Sequence, residues 1–192
     1  MLDRIRRNIT RHVALDDHEF DRFASLLQRR QLSKKELLLR PGDVCRFEGF
    51  VDSGCLRVFA ASRHGSDHVL YFAPEDWWVA DIKSFTSSSP AELGIDALEP
   101  TAVLLIDRAD KERLYVEMPK IERLFRIMSQ RALVALQHRL IASMEETVGQ
   151  RYFAFVRQYP ALHGRIPQHQ IAAYLGVCPE ALSRIRRRRL AS

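Results

Sequence analysis

The chain has no run of about 18 apolar residues, the length a helix needs to cross a bilayer. Its start, MLDRIRRNITRHVALDD, has no apolar stretch of the kind a secretion signal carries. Both absences lead us to expect a soluble, cytoplasmic protein with no membrane partner. Cysteine is scarce: Cys45, Cys55 and Cys178 are odd in number and far apart. That argues against a disulfide framework and against closely spaced metal thiolates, and for reduced, mostly buried thiols. No nucleophile is paired with a base, and neither a cofactor nor a catalytic residue is expected. Glycine and proline are absent between Pro119 and Gly149, so nothing there interrupts a helix of roughly 25 residues. The tail is poor in acid. From Glu146 onward, eight arginines (151, 157, 165, 184, 186, 187, 188 and 189) face only Glu146 and Glu180.

What remains is an ordinary globular composition, 46% hydrophobic and 28% charged over 192 residues, with room for one or two small domains. The whole net charge of +6 sits in the tail and the rest of the chain is balanced. A basic terminal quarter on a neutral body suits a polyanion. Nucleic acid fits better than a membrane surface, because the tail has no wide apolar face with interfacial aromatics.

Ile5, Ile9 and Val13 at helical spacing predict a short amphipathic helix. Phe20, Phe23, Leu26 and Leu27 predict a second one, capped by Asp16 or Asp17. Then the period changes. ELLLRPGD, FEGFVDSGCLRVFAAS, DHVLYFA, ELGIDALE and TAVLLID are short β-rich runs separated by turn residues, the pattern of a jelly roll. The fold class expected is α+β: a double-stranded β-helix or jelly roll over residues 1–118, a long helix over 119–145, and a helical domain over 146–192. The long helix has two apolar stripes. Ile121, Phe125, Met128, Ala132 and Ala135 follow a 4-3-4-3 spacing, beside Leu133, Leu136, Leu140 and Met144. Pattern alone leaves open a core helix with a wide apolar face. Beside the basic tail, the first stripe reads as a homodimer seam. The stretch from Met144 to Gly149, where the charge changes character, is the expected hinge between the two domains.

In the tail, Ile171, Ala172, Leu175, Gly176, Val177, Leu182 and Ile185 fall where two helices meeting at a sharp turn need them. Gly176 suits a left-handed turn, Pro179 the first turn of the second helix, and Glu180 its positive end. Cys178 stands where a Ser or Thr cap is expected, which costs about 1 kcal/mol. In such a helix-turn-helix, Glu180, Ser183 and Arg184 are placed to read base edges. Gln168, His169, Arg186, Arg187, Arg188 and Arg189 are placed to meet phosphates.

The order of elements, with RPGD at 40–43, DSGCLRVF at 52–59 and CPEALSRIRR in the tail, resembles the Crp/Fnr family of bacterial transcription regulators. The resemblance implies a cyclic-nucleotide-binding-like roll, a long dimerisation helix, and a homodimer reading palindromic double-stranded DNA through two recognition helices. It also implies RNA polymerase as a further partner. Glu180, Ser183 and Arg184 are similar to the base-reading set of the Fnr branch. The family's β-hairpin wing is not expected, since the sequence ends soon after Arg186. Relatives that bind cyclic AMP use a Gly-Glu-Leu turn and an Arg-Ser pair. Here the first region reads EDWWVAD and the pair is Ala91 and Glu92. Loss of the cation and gain of a carboxylate argue against that nucleotide. No cysteine precedes Cys45, so the iron-sulfur cluster of oxygen-sensing relatives is not expected either.

Trp77, Trp78, Lys83, Phe85 and Glu92 are candidates for the pocket of an unknown small effector; the alternative is that the aromatics fill a vanished nucleotide site. A metal-dependent cupin-like enzyme is the alternative reading, resting on His64, His68, Glu75 and Asp76. His64 sits beside Gly65 in a turn, where metal ligands of such barrels are not found. A sensor acting through protein partners, with vestigial DNA binding, is the third reading.

Overall fold

The computed structural model describes residues 2–62 and 67–190, and side chains except those of 188–190. Two helices open the chain, α1 (Asp3–Thr10) and α2 (Asp17–Ala24). Asp16 is the cap of α2: its carboxylate accepts from Glu19 N at 2.8 Å, and the Glu19 carboxylate accepts from Asp16 N at 2.9 Å. Two otherwise orphaned donors are satisfied by this box, which fixes where the helix starts.

Among the described residues eight strands follow: β1 (Gln28–Leu32), β2 (Leu37–Leu39), β3 (Phe47–Ser53), β4 (Cys55–Ala60), β5 (His68–Pro74), β6 (Trp78–Val79), β7 (Leu93–Ala97) and β8 (Thr101–Asp107). They form two antiparallel sheets of four, ordered β1-β8-β3-β6 and β2-β7-β4-β5. A short helix, α3 (Ile82–Ser87), lies between β6 and β7. Alternating inward residues, among them Leu39, Val51, Leu56, Val58, Ile95 and Val103, make the core between the sheets. This is the expected cyclic-nucleotide-binding-like roll. On the outer face of the first sheet, Phe50, Leu104 and Ile106 meet Ile5, Ile9, Phe20 and Phe23 of α1 and α2.

After α4 (Arg108–Glu117), Pro119 starts α5 (Pro119–Glu145), 27 residues and roughly 40 Å long. The expected seam on it needs correcting. Ile121 is 0% exposed and Phe125 5% exposed, both closed into the chain's own second core, with Met128 packed against them. Ala132 and Ala135 are exposed but carry little apolar surface. The uncovered apolar stripe is the neighbouring one: Leu133, Leu136, Leu140 and Met144, with Val134 and Ile141, all about half exposed or more. The first half of that stripe, Ile121, Phe125 and Met128, thus serves the packing of α5 onto its own chain.

The helix breaks at Glu146, which is extended at φ −99° and ψ 144°. Thr147 and Gln150 then form a second capping box for α6 (Val148–Gln158). Two short elements, α7 (Pro160–His163) and α8 (Gln168–Leu175), lead to α9 (Pro179–Leu190).

Candidate nucleic-acid interface

The turn between α8 and α9 follows from Gly176, which sits at φ 71° and ψ 34° in the left-handed region. Its N–H and that of Val177 close onto the carbonyls of Ala173 and Ala172, ending α8. Ala172 is 0% exposed, and Leu182, 1% exposed, seals α9 onto α8 with the partly buried Ile185. These are the contacts that the apolar spacing predicts.

Packing one face of α9 inward leaves the other outward. Glu180, Ser183, Arg184 and Arg187 are exposed at i, i+3, i+4 and i+7, on one side of the helix. Cys178 precedes α9, and its carbonyl accepts from Ala181 N and Leu182 N. The Glu180 carboxyl is held below the usual carboxylate range by its own backbone N–H, by the Cys178 thiol and by Arg184. It is therefore an anionic acceptor at neutral pH. Arg186 is also exposed, as is His169, while Gln168 is half-buried at the start of α8. The side chains of Arg188 and Arg189 lie outside the described residues, and so does His64.

The C-terminal helices, the reader of the proposal below, are held against the roll by an apolar seam and three arginines. Cys55, Val69 and Phe72 of the roll share one core with Tyr152, Phe155, Leu162, Ile166, Ile171, Leu175 and Leu182. The Phe72 ring lies 5.9 Å from Phe155 and 5.6 Å from Tyr174. Arg57 of β4 makes a fork to Asp96, at 2.9 and 2.6 Å, and reaches Gln170 Oε1 of α8 at 3.0 Å. Arg139 of α5 donates to the carbonyls of Val69 and Tyr174 at 3.1 and 2.9 Å. Arg165 pairs bidentately with Glu75 at 3.1 and 2.9 Å and also meets Glu99. The partly exposed Arg165–Glu75 pair contributes at most about 1 kcal/mol, whereas each fully buried large apolar side chain contributes about 1.5–3 kcal/mol. The apolar seam dominates the joint. The tail's charge pattern carried no signal for Arg57 and Arg139, whose partners are distant in sequence.

The five candidate effector residues do not line one cavity. Trp77 stacks on Tyr71, with ring centroids 6.5 Å apart, and also faces Tyr159 of α6–α7. Trp78 turns the other way. It packs on Phe50 and Phe125, and its indole N–H donates to Asn8 at 3.1 Å. Phe85 is buried in the roll core, and Lys83 pairs with Glu92 on the surface, where both side chains are more than 60% exposed. In the loop before β7, Ala91 N donates to Asp43 O, and Ala91 O accepts from Gly42 N, both at 2.8 Å. The buried Asp81 carboxylate accepts from the N–H groups of Ser84, Glu92 and Leu93, each at 3.0 Å. An internal anion thus occupies the backbone donors of that loop.

No family model matches the chain. It is 28% identical over 186 residues to the transcriptional activator protein Anr of Pseudomonas protegens, a match spanning 90% of this chain and 75% of that protein. Among solved structures, the global regulator CLP of Xanthomonas campestris superposes with a TM-score of 0.76 at 17% identity, covering 92% of each chain. A structure from Eubacterium rectale assigned to the Crp/Fnr family superposes at 0.70 and 18% identity, over 90% of this chain and 82% of that one. The structural likenesses establish the fold of roll, long helix and terminal helices, and the likeness to Anr runs through all three. The chain is thus similar in sequence to Anr and in fold to a structure assigned to the Crp/Fnr family.

Proposed function

We propose that this chain is a sequence-specific DNA-binding transcription regulator that acts as a homodimer in the cytoplasm, with RNA polymerase as a further partner. The observation that carries the reading is the two-sidedness of α9: Leu182 and Ile185 turn inward, while Glu180, Ser183, Arg184 and Arg187 share the exposed face. Arg184 is suited to the O6 and N7 acceptors of guanine, and Glu180 to a cytosine amino group. Arg186 to Arg189, with Gln168 and His169 at the start of α8, supply phosphate contacts.

A two-fold palindrome needs two copies with their recognition helices about 34 Å apart. The uncovered stripe of α5 from Leu133 to Met144 is the surface we assign to the partner copy. Cyclic AMP is not the effector in this reading. Ala91 and Glu92 stand in place of the Arg-Ser pair, and a cyclic phosphate at the Ala91–Leu93 loop would meet the Asp81 and Glu92 carboxylates. Calorimetry with millimolar cyclic AMP gives no heat if this holds.

The test of the central reading is selection from a random DNA pool by the full chain, with TTG-containing palindromes as the first candidates. Recovery of a two-fold motif supports it. A pool that stays unenriched at low salt favours a sensor acting through protein partners.

A further inference from the structure

Between α1, the end of β5 and the α6–α7 corner lies a cleft of about 400 Å³, placed at the joint of roll and reader. It is separate from the interior of the roll, which Tyr71, Phe85 and their neighbours fill. Trp77 comes from the roll and Tyr159 from the reader; their ring centroids are 5.7 Å apart with planes tilted by 53°. Leu162 adds apolar wall. Burial pushes the Tyr159 phenol up, so it stays neutral and offers a ring and a hydroxyl.

The polar rim is unevenly used. Arg165 is taken up by Glu75 and Glu99, and both Glu75 oxygens are occupied, one also accepting from Gly54 N at 3.0 Å. Arg4 differs. It is half-buried and lines the cleft, and among the described residues it has neither an ion-pair partner nor a hydrogen-bond acceptor. The other arginines of α1 and its C-terminal end are engaged: Arg6 with Asp17, Arg7 with the Asp3 carbonyl, Arg11 with Asp76. A partly desolvated guanidinium without a counter-charge, beside two aromatic rings, is an incomplete ion pair.

We propose that this cleft binds a small aromatic anion, with its ring system against Trp77 and Tyr159 and its acidic group on Arg4. Pockets of roughly 300–1,000 Å³ suit small organic ligands, and offset or edge contacts with two aromatic walls favour a planar one. Among the described residues that line the cleft, Arg4 is a cation without a counter-charge and shares the lining with the Glu75 carboxylate, which selects a singly charged ligand and disfavours a nucleotide with several phosphate charges. Because one wall belongs to each domain, an occupant contacts both, and its differential affinity shifts the population of reader positions. The site stands apart from DNA recognition, and its test uses no DNA.

The test is a fluorescence titration of the full chain with two probes, anilinonaphthalene sulfonate and its uncharged relative N-phenylnaphthylamine. The expected result is saturable binding of both at one site per chain. Arg4→Gln weakens the anionic probe about tenfold, the scale of one charge-assisted contact, and leaves the neutral probe unchanged. Tyr159→Leu weakens both. The proposal is overturned if Arg4→Gln leaves the anionic probe unaffected. It is equally overturned if Leu140→Glu, on the exposed stripe of α5, abolishes the signal of both probes.

Discussion

Arg139 of the long helix holds Tyr174 of the reader twice: it donates to the Tyr174 carbonyl at 2.9 Å, and its guanidinium lies 4.1 Å over the Tyr174 ring. Its second hydrogen bond, to the Val69 carbonyl, ties the same side chain to the roll. One residue of α5 therefore touches all three parts of the molecule. Arg139→Ala strands two carbonyls in a half-buried joint, at a cost of about 1–3 kcal/mol. The expected thermal midpoint falls by several degrees, at about 2–4 °C per kcal/mol for a chain of this size. Hydrogen exchange of the α8 amides is expected to quicken more than that of β3 and β8. A uniform change across the chain would contradict the placement of Arg139 at the joint.

The two stripes of α5 are separable by mutation. Leu136→Glu places a charge on a side chain that is 61% exposed in the single chain, so stability changes little while self-association is lost at micromolar concentration, read by light scattering. Phe125→Ala, inside the chain's own core, costs about 3–5 kcal/mol of stability and leaves the seam surface intact. If Leu136→Glu stays dimeric, the seam is elsewhere.

The proposed base reading and charge attraction of α9 are separable by mutation. Arg184→Ala is expected to cost about 1–3 kcal/mol on the selected site and to relax discrimination at one base of each half-site. Arg187→Ala weakens all sequences alike and lowers the slope of log affinity against log salt by about one unit per lost phosphate contact. Equal losses of both variants on selected and scrambled DNA would make α9 a nonspecific anchor.

The ionic part of the joint has a definite pH dependence. Burial raises the Glu75 carboxyl, but hydrogen bonds from Arg165 and from Gly54 N outweigh it, and the net shift is downward from 4.5. A depressed folded value means that Glu75 contributes stability above its unfolded value and loses it as pH falls through the folded one. The difference in thermal midpoint between the wild type and Glu75→Gln is therefore constant at neutral pH and shrinks below about pH 4.5. A difference that grew on acidification would contradict the assigned pairing.

Much of this architecture was legible from periodicity. The cap at Asp16, one of two candidates, the helix free of breakers after Pro119, and the Ala172, Gly176 and Leu182 triad each express a local rule that tertiary context left in force. The α5 seam was misread for a physical reason. Ile121 and Phe125 satisfy the same spacing whether they face a partner copy or the chain's own roll, and periodicity carries no identity for the facing surface. Trp77, just before β6, and Trp78, its first residue, look like one aromatic motif but serve different cores. Asp81 as the occupant of the loop amides was missed because its three donors lie up to 12 residues away.

The shared core of Phe72 with Phe155 and Leu175 bears on autonomy. Four helices of this length enclose too little apolar surface to persist alone, and here they complete their interior with side chains from β4 and β5. Residues 146–192 are consequently not a transplantable cassette. Grafted behind a foreign domain they would lack part of their hydrophobic floor and partly melt, and any movement of these helices away from the roll would uncover that floor.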